Sequence, residues 1–235
     1  GIVDGHGIVL EKDHITYLPT FHPAMALRNP RYISLLSADI QRFAAIVSGK
    51  TTKTPKLNLT IIRSFNDWNE LTETITEAKS VAFDVETTRL EWYKPDAAIR
   101  CLGIATLKRQ FILPLSTPDS FLKGAKQSKI PRMISDLSHD LVGKNVIAHN
   151  AKFDNLWIKG MYGVRFPVTF DTMLASYVLD ESSPHWLKYL AKTLLNAPEW
   201  DIEGHDKTSG DDTEKLYQYC GYDVLYTHRL YRYLL

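Results

Sequence analysis

The chain has 235 residues, 44% of them hydrophobic, and its 28 Lys and Arg against 27 Asp and Glu leave a formal charge of +1. That length is enough for one large or two small domains with a real core. No apolar run is long enough to span a bilayer and no secretory leader is legible, so no membrane partner is expected. Two cysteines, Cys101 and Cys220, imply no disulfide framework, and a reducing cytoplasm is the expected compartment. The near-zero charge neither requires nor forbids nucleic acid, because gripping a few nucleotides needs a local basic patch rather than a basic total.

In chain order, the resemblance drawn below for residues 1–48 implies a strand at 15–19, a loop at 20–30 and a final helix at 37–47. Residues 49–56 are polar, lack an apolar period and contain Pro55, which marks a linker. Beyond it the pattern predicts strand 57–63, helix 66–78 and strands 80–86, 99–107 and 110–114, with Lys108 and Arg109 at the last turn. After a polar stretch at 116–129, a helix begins near Pro131, a residue suited to a first turn. Strand 145–148 and helices 151–162, 171–179, 186–195 and 213–234 complete the chain. Asp171 reads as an N-cap. An antiparallel meander followed by alternating helices and strands predicts an α/β fold, a mixed sheet flanked by helices.

Three short segments carry chemistry. Asp84 and Glu86 are two apart on the run Ser80-Val81-Ala82-Phe83, so on a strand both carboxylates project from one face. Two acids there are costly unless a cation lies between them. Asn150 follows the apolar Val146-Ile147-Ala148 and is expected to cap the next helix, leaving Asp154 near the positive end of its dipole, which favours the ionised form. Tyr219 and Asp223 are four apart on the C-terminal helix and share a face. Each feature alone is ordinary surface; their order, each at the end of an apolar element, makes them a set. Cys101 and Cys220 read as small buried hydrophobes.

On these residues, the region from about Leu57 to Leu235 resembles the 3′–5′ proofreading exonuclease domain of family A DNA polymerases, within the DEDDy exonucleases. Phe83–Leu90 (FDVETTRL), His149–Asp154 (HNAKFD) and Tyr219–Asp223 (YCGYD) resemble the three exonuclease motifs, and the segment 170–179 the stretch that follows the second. The resemblance implies a ribonuclease H-like fold and removal of nucleoside 5′-monophosphates from a single-stranded DNA 3′ end. It assigns Asp84, Glu86, Asp154 and Asp223 to two Mg²⁺ or Mn²⁺ ions, hard cations suited to oxygen ligands. Asp84 would bridge both ions, Glu86 and Asp223 would hold the one nearer the nucleophile, and Asp154 would act on the other. Tyr219 would orient the attacking water. Leu90 matches a wedge against the terminal base, and Asn150, Thr87 and Lys152 are further substrate-binding candidates. Arg89, Lys152, Lys159, Lys188 and Lys192 either contact phosphates or are solvated helix surface. A polymerase domain in cis is the expected partner, in a bacterial or phage-infected cell or an organelle.

Residues 1–48 stand apart. The run Thr20–Pro30, with His22-Pro23 and Arg28, is similar to the His-Pro motif near the C-terminus of uracil-DNA glycosylases, where matching residues reach the flipped uracil and the DNA backbone. The motif that would activate water in that family, and its cluster cysteines, have no counterpart here. The segment is expected to be a truncated domain, joined by linker 49–56 to the exonuclease domain at 57–235. The absence of a methionine before Met25 suggests a piece of a longer polypeptide. Three other functions compete: ribonuclease D-like RNA trimming with the same five residues, a catalytically inactive nucleic-acid-binding module, and a glycosylase.

Overall fold

The computed structural model describes residues 6–7, 9–49, 55–181, 183–198, 200 and 212–235. The elements begin with β1 (Leu10–Lys12), β2 (Ile15–Tyr17), α1 (Pro23–Arg28) and α2 (Arg31–Val47). Next come β3 (Leu59–Ile61), α3 (Phe65–Glu77), β4 (Ser80–Thr87), β5 (Ile99–Ala105) and β6 (Gln110–Pro114). A 3₁₀ turn at Gly124–Lys129 leads into α4 (Ile130–Asp140), β7 (Asn145–Ala148) and α5 (Ala151–Tyr162). The chain closes with β8 (Phe170–Asp171), α6 (Thr172–Leu179), α7 (Leu187–Leu195) and α8 (Thr213–Leu234). Packing divides it into two units, Gly1–Pro55 with Leu179–Glu199, and Lys56–Val178 with Trp200–Leu235.

In the first unit, β1 and β2 form a hairpin whose two turn residues, Asp13 and His14, both have positive φ. That pair matches the right-handed strand twist a two-residue loop needs. The stretch expected as a loop contains α1 instead: Pro23 supplies the fixed φ suited to a first turn, and the N–H of Ala24 donates to Nδ1 of His22 at 3.1 Å. α2 starts at Arg31, six residues before the expected start at 37. Buried Asp39 on α2 accepts hydrogen bonds from Thr20 Oγ1 at 2.6 Å and pairs with His6 Nδ1 at 3.0 Å. α7 packs on α2, which draws residues 179–199 into this unit rather than into the C-terminal domain where the sequence placed them. The expected linker at 49–56 falls largely outside the described residues.

The second unit is built on one mixed sheet in the order β3-β6-β5-β4-β7-β8. β4, β5 and β6 form the antiparallel meander, while β3–β6, β4–β7 and β7–β8 run parallel. Alternation along β4 decides what each face meets. Val81, Phe83 and Val85 point into a core shared with Trp68, Leu71 and Ile75 of α3, Met133, Ile134 and Leu137 of α4, and Trp157 and Ile158 of α5. Ala82 points the other way, against Val224 and Tyr231 of α8, beside Ala105 and Ile147. Asp84 and Glu86 share that second face.

Gly103 on β5 stands opposite Asp84 in register. A Cβ there would lie 2.6 Å from Cys220 Sγ and 2.9 Å from Val224 Cγ1. Only glycine lets α8 lie this close to the sheet. No described helix is long and apolar enough to cross a membrane.

Candidate active site

β4 delivers the first two acids. Asp84 is half-buried and Glu86 buried, and the register shifts at Glu86/Thr87, a bulge that ends regular pairing next to the acids. Ligand atoms of Asp84, Glu86 and Cys220 all lie within 4.8 Å of one another. α5 adds Asp154, which is 2% exposed, and α8 adds buried Tyr219 and Asp223. Burial first, then the charges of Asp154, Glu86 and Asp223, push the Asp84 carboxyl well above the usual carboxylate range. The four acids thus sense one another, and the five residues singled out from sequence meet at one place.

Asp154 Oδ1 accepts the Val85 N–H at 3.0 Å. The β4–β7 ladder stops at Ala82↔Ile147, so this N–H lies beyond the strand that would otherwise take it. The bond ties the first turn of α5 to β4 beside Asp84. The stabilisation of ionised Asp154 expected from the helix start is opposed by its surroundings. Burial outweighs its backbone hydrogen bonds, the charges of Asp171 and Asp223 add to it, and the carboxyl is pushed up to about 7.

Asn150 does not cap α5 either. It adopts the left-handed conformation, φ 62 and ψ 48, and its side chain makes no capping bond. Asp171 does the capping, for two helices at once. Its carboxylate accepts from Asn150 N (3.1 Å) and Ala151 N (2.8 Å) at the start of α5, and from Met173 N (2.9 Å) and Leu174 N (3.3 Å) at the start of α6. Asp171 was legible as a cap for its own helix; its reach across to α5 depends on β8 pairing beside β7.

The Tyr219 phenol is poorly suited to act as a base. Burial, the charges of Asp223, Glu86 and Asp84, and a hydrogen bond with Asp223 all drive its phenol far above the ordinary value. The Cys220 thiol is pushed well above the usual range by its hydrogen bond with Cys101, by burial and by the neighbouring acids.

The other expected site residues lie along the same elements. Thr87 ends β4 beside Glu86 and its hydroxyl donates to Arg89 O at 2.6 Å. Leu90, in the loop that follows, is 78% exposed. Asn150 and exposed Lys152 flank the start of α5. Among the basic residues, Arg89 pairs with Asp96, and Lys192 donates to His6 O at 3.0 Å within the first unit. Lys159 is exposed on α5 and Lys188 is half-buried on α7. Trp200 escaped the sequence reading altogether: its indole N–H donates to Asp223 Oδ1 at 2.6 Å. The segment Pro198-Glu199-Trp200 carries no periodic or motif signal that could have found it.

The sheet order and the helices on both its faces define a ribonuclease H-like fold. Residues 59–235 match the 3′–5′ exonuclease family, and the chain belongs to that family. It is similar to the DNA polymerase of Bacillus phage SP01, 27% identical over 256 residues covering 93% of this chain and 26% of the polymerase. The chain therefore spans about a quarter of that relative's length, and the match extends past residues 59–235 into the first unit. Among solved structures, the catalytic core of RRP6 from Trypanosoma brucei is similar over 96% of this chain and 59% of that one, at 17% identity and a TM-score of 0.58. Brucella melitensis NrnC with bound Mg²⁺ is similar over 77% of this chain and 80% of that one, at 19% identity and a TM-score of 0.51. The glycosylase resemblance of residues 1–48 gains no support from these matches. His22 caps α1 there, and Arg28 sits in its last turn, where a cation suits the helix dipole.

Proposed function

We propose that this domain is a metal-dependent 3′–5′ exonuclease acting on single-stranded DNA ends, the proofreading part of a DNA polymerase. The observation that carries it is the convergence of four carboxylates from β4, α5 and α8, with ligand atoms of Asp84 and Glu86 within 4.8 Å of each other. Oxygen donors packed this way fit hard divalent cations, Mg²⁺ or Mn²⁺. Asp84, Glu86, Asp154 and Asp223 would hold two such ions. Bound there, they would supply Lewis-acid polarisation of the phosphoryl group and a lowered pKa for water.

The residues divide the remaining work. Tyr219, kept protonated, orients the attacking water through its phenol. That water's oxygen bonds to the terminal phosphorus as the P–O3′ bond breaks, leaving a 3′-hydroxyl on the shortened strand and releasing a nucleoside 5′-monophosphate. Exposed Leu90 packs against the terminal base, while Thr87, Asn150 and Lys152 contact the last nucleotide or its phosphate. Similarity to a DNA polymerase that extends far beyond this chain supports a polymerase domain in cis.

Ribonuclease D-like trimming of RNA is the second reading, favoured by the structural likeness to the catalytic core of RRP6. End-labelled single-stranded DNA and RNA, incubated with Mg²⁺, Mn²⁺ or EDTA, separate the two. Stepwise loss from the DNA 3′ end, abolished by EDTA and faster at mismatched than at paired termini, is the expected result. Faster cleavage of RNA would favour the second reading, and activity undiminished by EDTA would refute the metal.

A further inference from the structure

We propose that Trp200 is a positioning residue for the carboxylate cluster, its indole N–H fixing Asp223 in the orientation in which that acid takes a divalent cation. The proposal rests on the reading of the cluster as a cation site. Trp200 is 6% exposed, and its Nε1 donates to Asp223 Oδ1 at 2.6 Å. An indole has one donor and no acceptor, so a buried one must end on an acceptor. Here the acceptor is a carboxylate on α8, one turn from Tyr219.

The ring is held as firmly as the bond. Its face stacks on Tyr226 with centroids 4.5 Å apart and planes at 18°. Tyr226 stacks in turn toward Tyr222, at 6.4 Å and 21°, and carries the Arg229 guanidinium 5.7 Å from its centroid. Tyr222 and Tyr226 flank Asp223 on the same helix, the latter three residues on and so on the same side. The stack sets the indole plane, the plane aims the N–H, and the N–H fixes one oxygen of a carboxylate whose terminal torsion is otherwise broad.

A carboxylate has about four lone-pair positions, so one hydrogen bond leaves capacity for a cation and for the hydrogen bond with Tyr219. Partners that orient metal-ligating carboxylates typically contribute 10–100-fold to metal affinity. Asp84, Glu86 and Asp154 take their places from β4 and from the first turn of α5. Asp223 takes a hydrogen bond from a side chain outside the three motifs.

Trp200→Phe keeps an aromatic ring for Tyr226 and deletes only the donor. Mn²⁺ binding to the full chain, followed by the electron paramagnetic resonance of the free ion, should weaken by about 10–100-fold. In the exonuclease assay the Mn²⁺ concentration for half-maximal rate should rise by a similar factor, with kcat at saturating Mn²⁺ within a few fold of the unmutated value. Equal Mn²⁺ affinity in the two proteins overturns the proposal alone. No Mn²⁺ binding by the unmutated protein overturns the cation-site reading and the proposal together. Should the variant not fold, ¹⁵N-tryptophan labelling of the unmutated protein gives a second test. One of its five indole N–H resonances should be protected from exchange and shift on titration with Mg²⁺. If none responds to Mg²⁺, the proposal is overturned.

Discussion

Asp84→Asn removes one of the clustered negative charges at almost constant size, and its effect on stability should change sign with metal. Asp84 and Glu86 carry ligand atoms within 4.8 Å. At an effective dielectric of about 20, two full charges at that distance repel by about 3 kcal/mol. Asp84 is half-buried and partly neutralised by its raised pKa, which reduces the expected relief to about 2 kcal/mol. For a protein of this size that is roughly 4–8 °C in Tm. In EDTA the variant should therefore melt higher than the unmutated protein. With Mn²⁺ at about 100 times Kd, the unmutated protein gains about 2.7 kcal/mol and the variant little, so the order of melting temperatures should reverse. Hydrolysis should be abolished throughout. Thermal melts of both proteins, each in EDTA and in Mn²⁺, check this directly. A variant that melts lower in EDTA, or gains as much from Mn²⁺ as the parent, would refute electrostatic crowding as the basis of the site.

Tyr219→Phe should slow cleavage by about one to three decades at saturating Mn²⁺, read from kcat, because the phenol orients water and is too weak an acid to act as a base. Gly103→Ala should cost about 1–3 kcal/mol in a denaturant melt and depress activity, since the new methyl meets Cys220 and Val224 and pushes away the helix that carries Tyr219 and Asp223. Buried His228 shares a 2.9 Å hydrogen bond with Ser80, and burial depresses its pKa from 6.5 to about 4. The folded state binds fewer protons between those values, so stability is full above pH 6.5 and falls as pH drops toward 4, by up to about 3 kcal/mol. His228→Gln should flatten that part of the stability–pH curve. Deleting residues 1–48 removes α2 from beneath α7, and residues 183–198 should become the first site of limited proteolysis while the sheet core persists; an unchanged cleavage pattern would show that α7 does not depend on α2.

Most strands and helices of the second unit, and the five residues that the fold brings together, were legible in the sequence because each announces itself through local chemistry. Asp84 and Glu86 are legible from a period of two on an apolar strand, and Tyr219 and Asp223 from a period near four on a long helix. Asp154 is legible from its place in the first turn after a strand. These periodicities also predicted a mixed α/β sheet, and the packed structure has one.

How those residues behave depends on packing. The helix dipole favours an ionised Asp154, yet burial among other acids wins and raises its pKa, because desolvation depends on neighbours that are distant in sequence. Asn150 occupies the expected cap position in an unexpected backbone conformation, and the capping passes to Asp171, brought across by the pairing of β8 with β7. α7 packs on α2 and so falls in the first unit, although the family match runs through it from residue 59 to 235. Trp200 becomes part of the site through one hydrogen bond and one ring stack, contacts between groups more than twenty residues apart that no local pattern encodes. Period and capping are properties of a segment, whereas burial, charge coupling and long-range hydrogen bonds are properties of the packed chain.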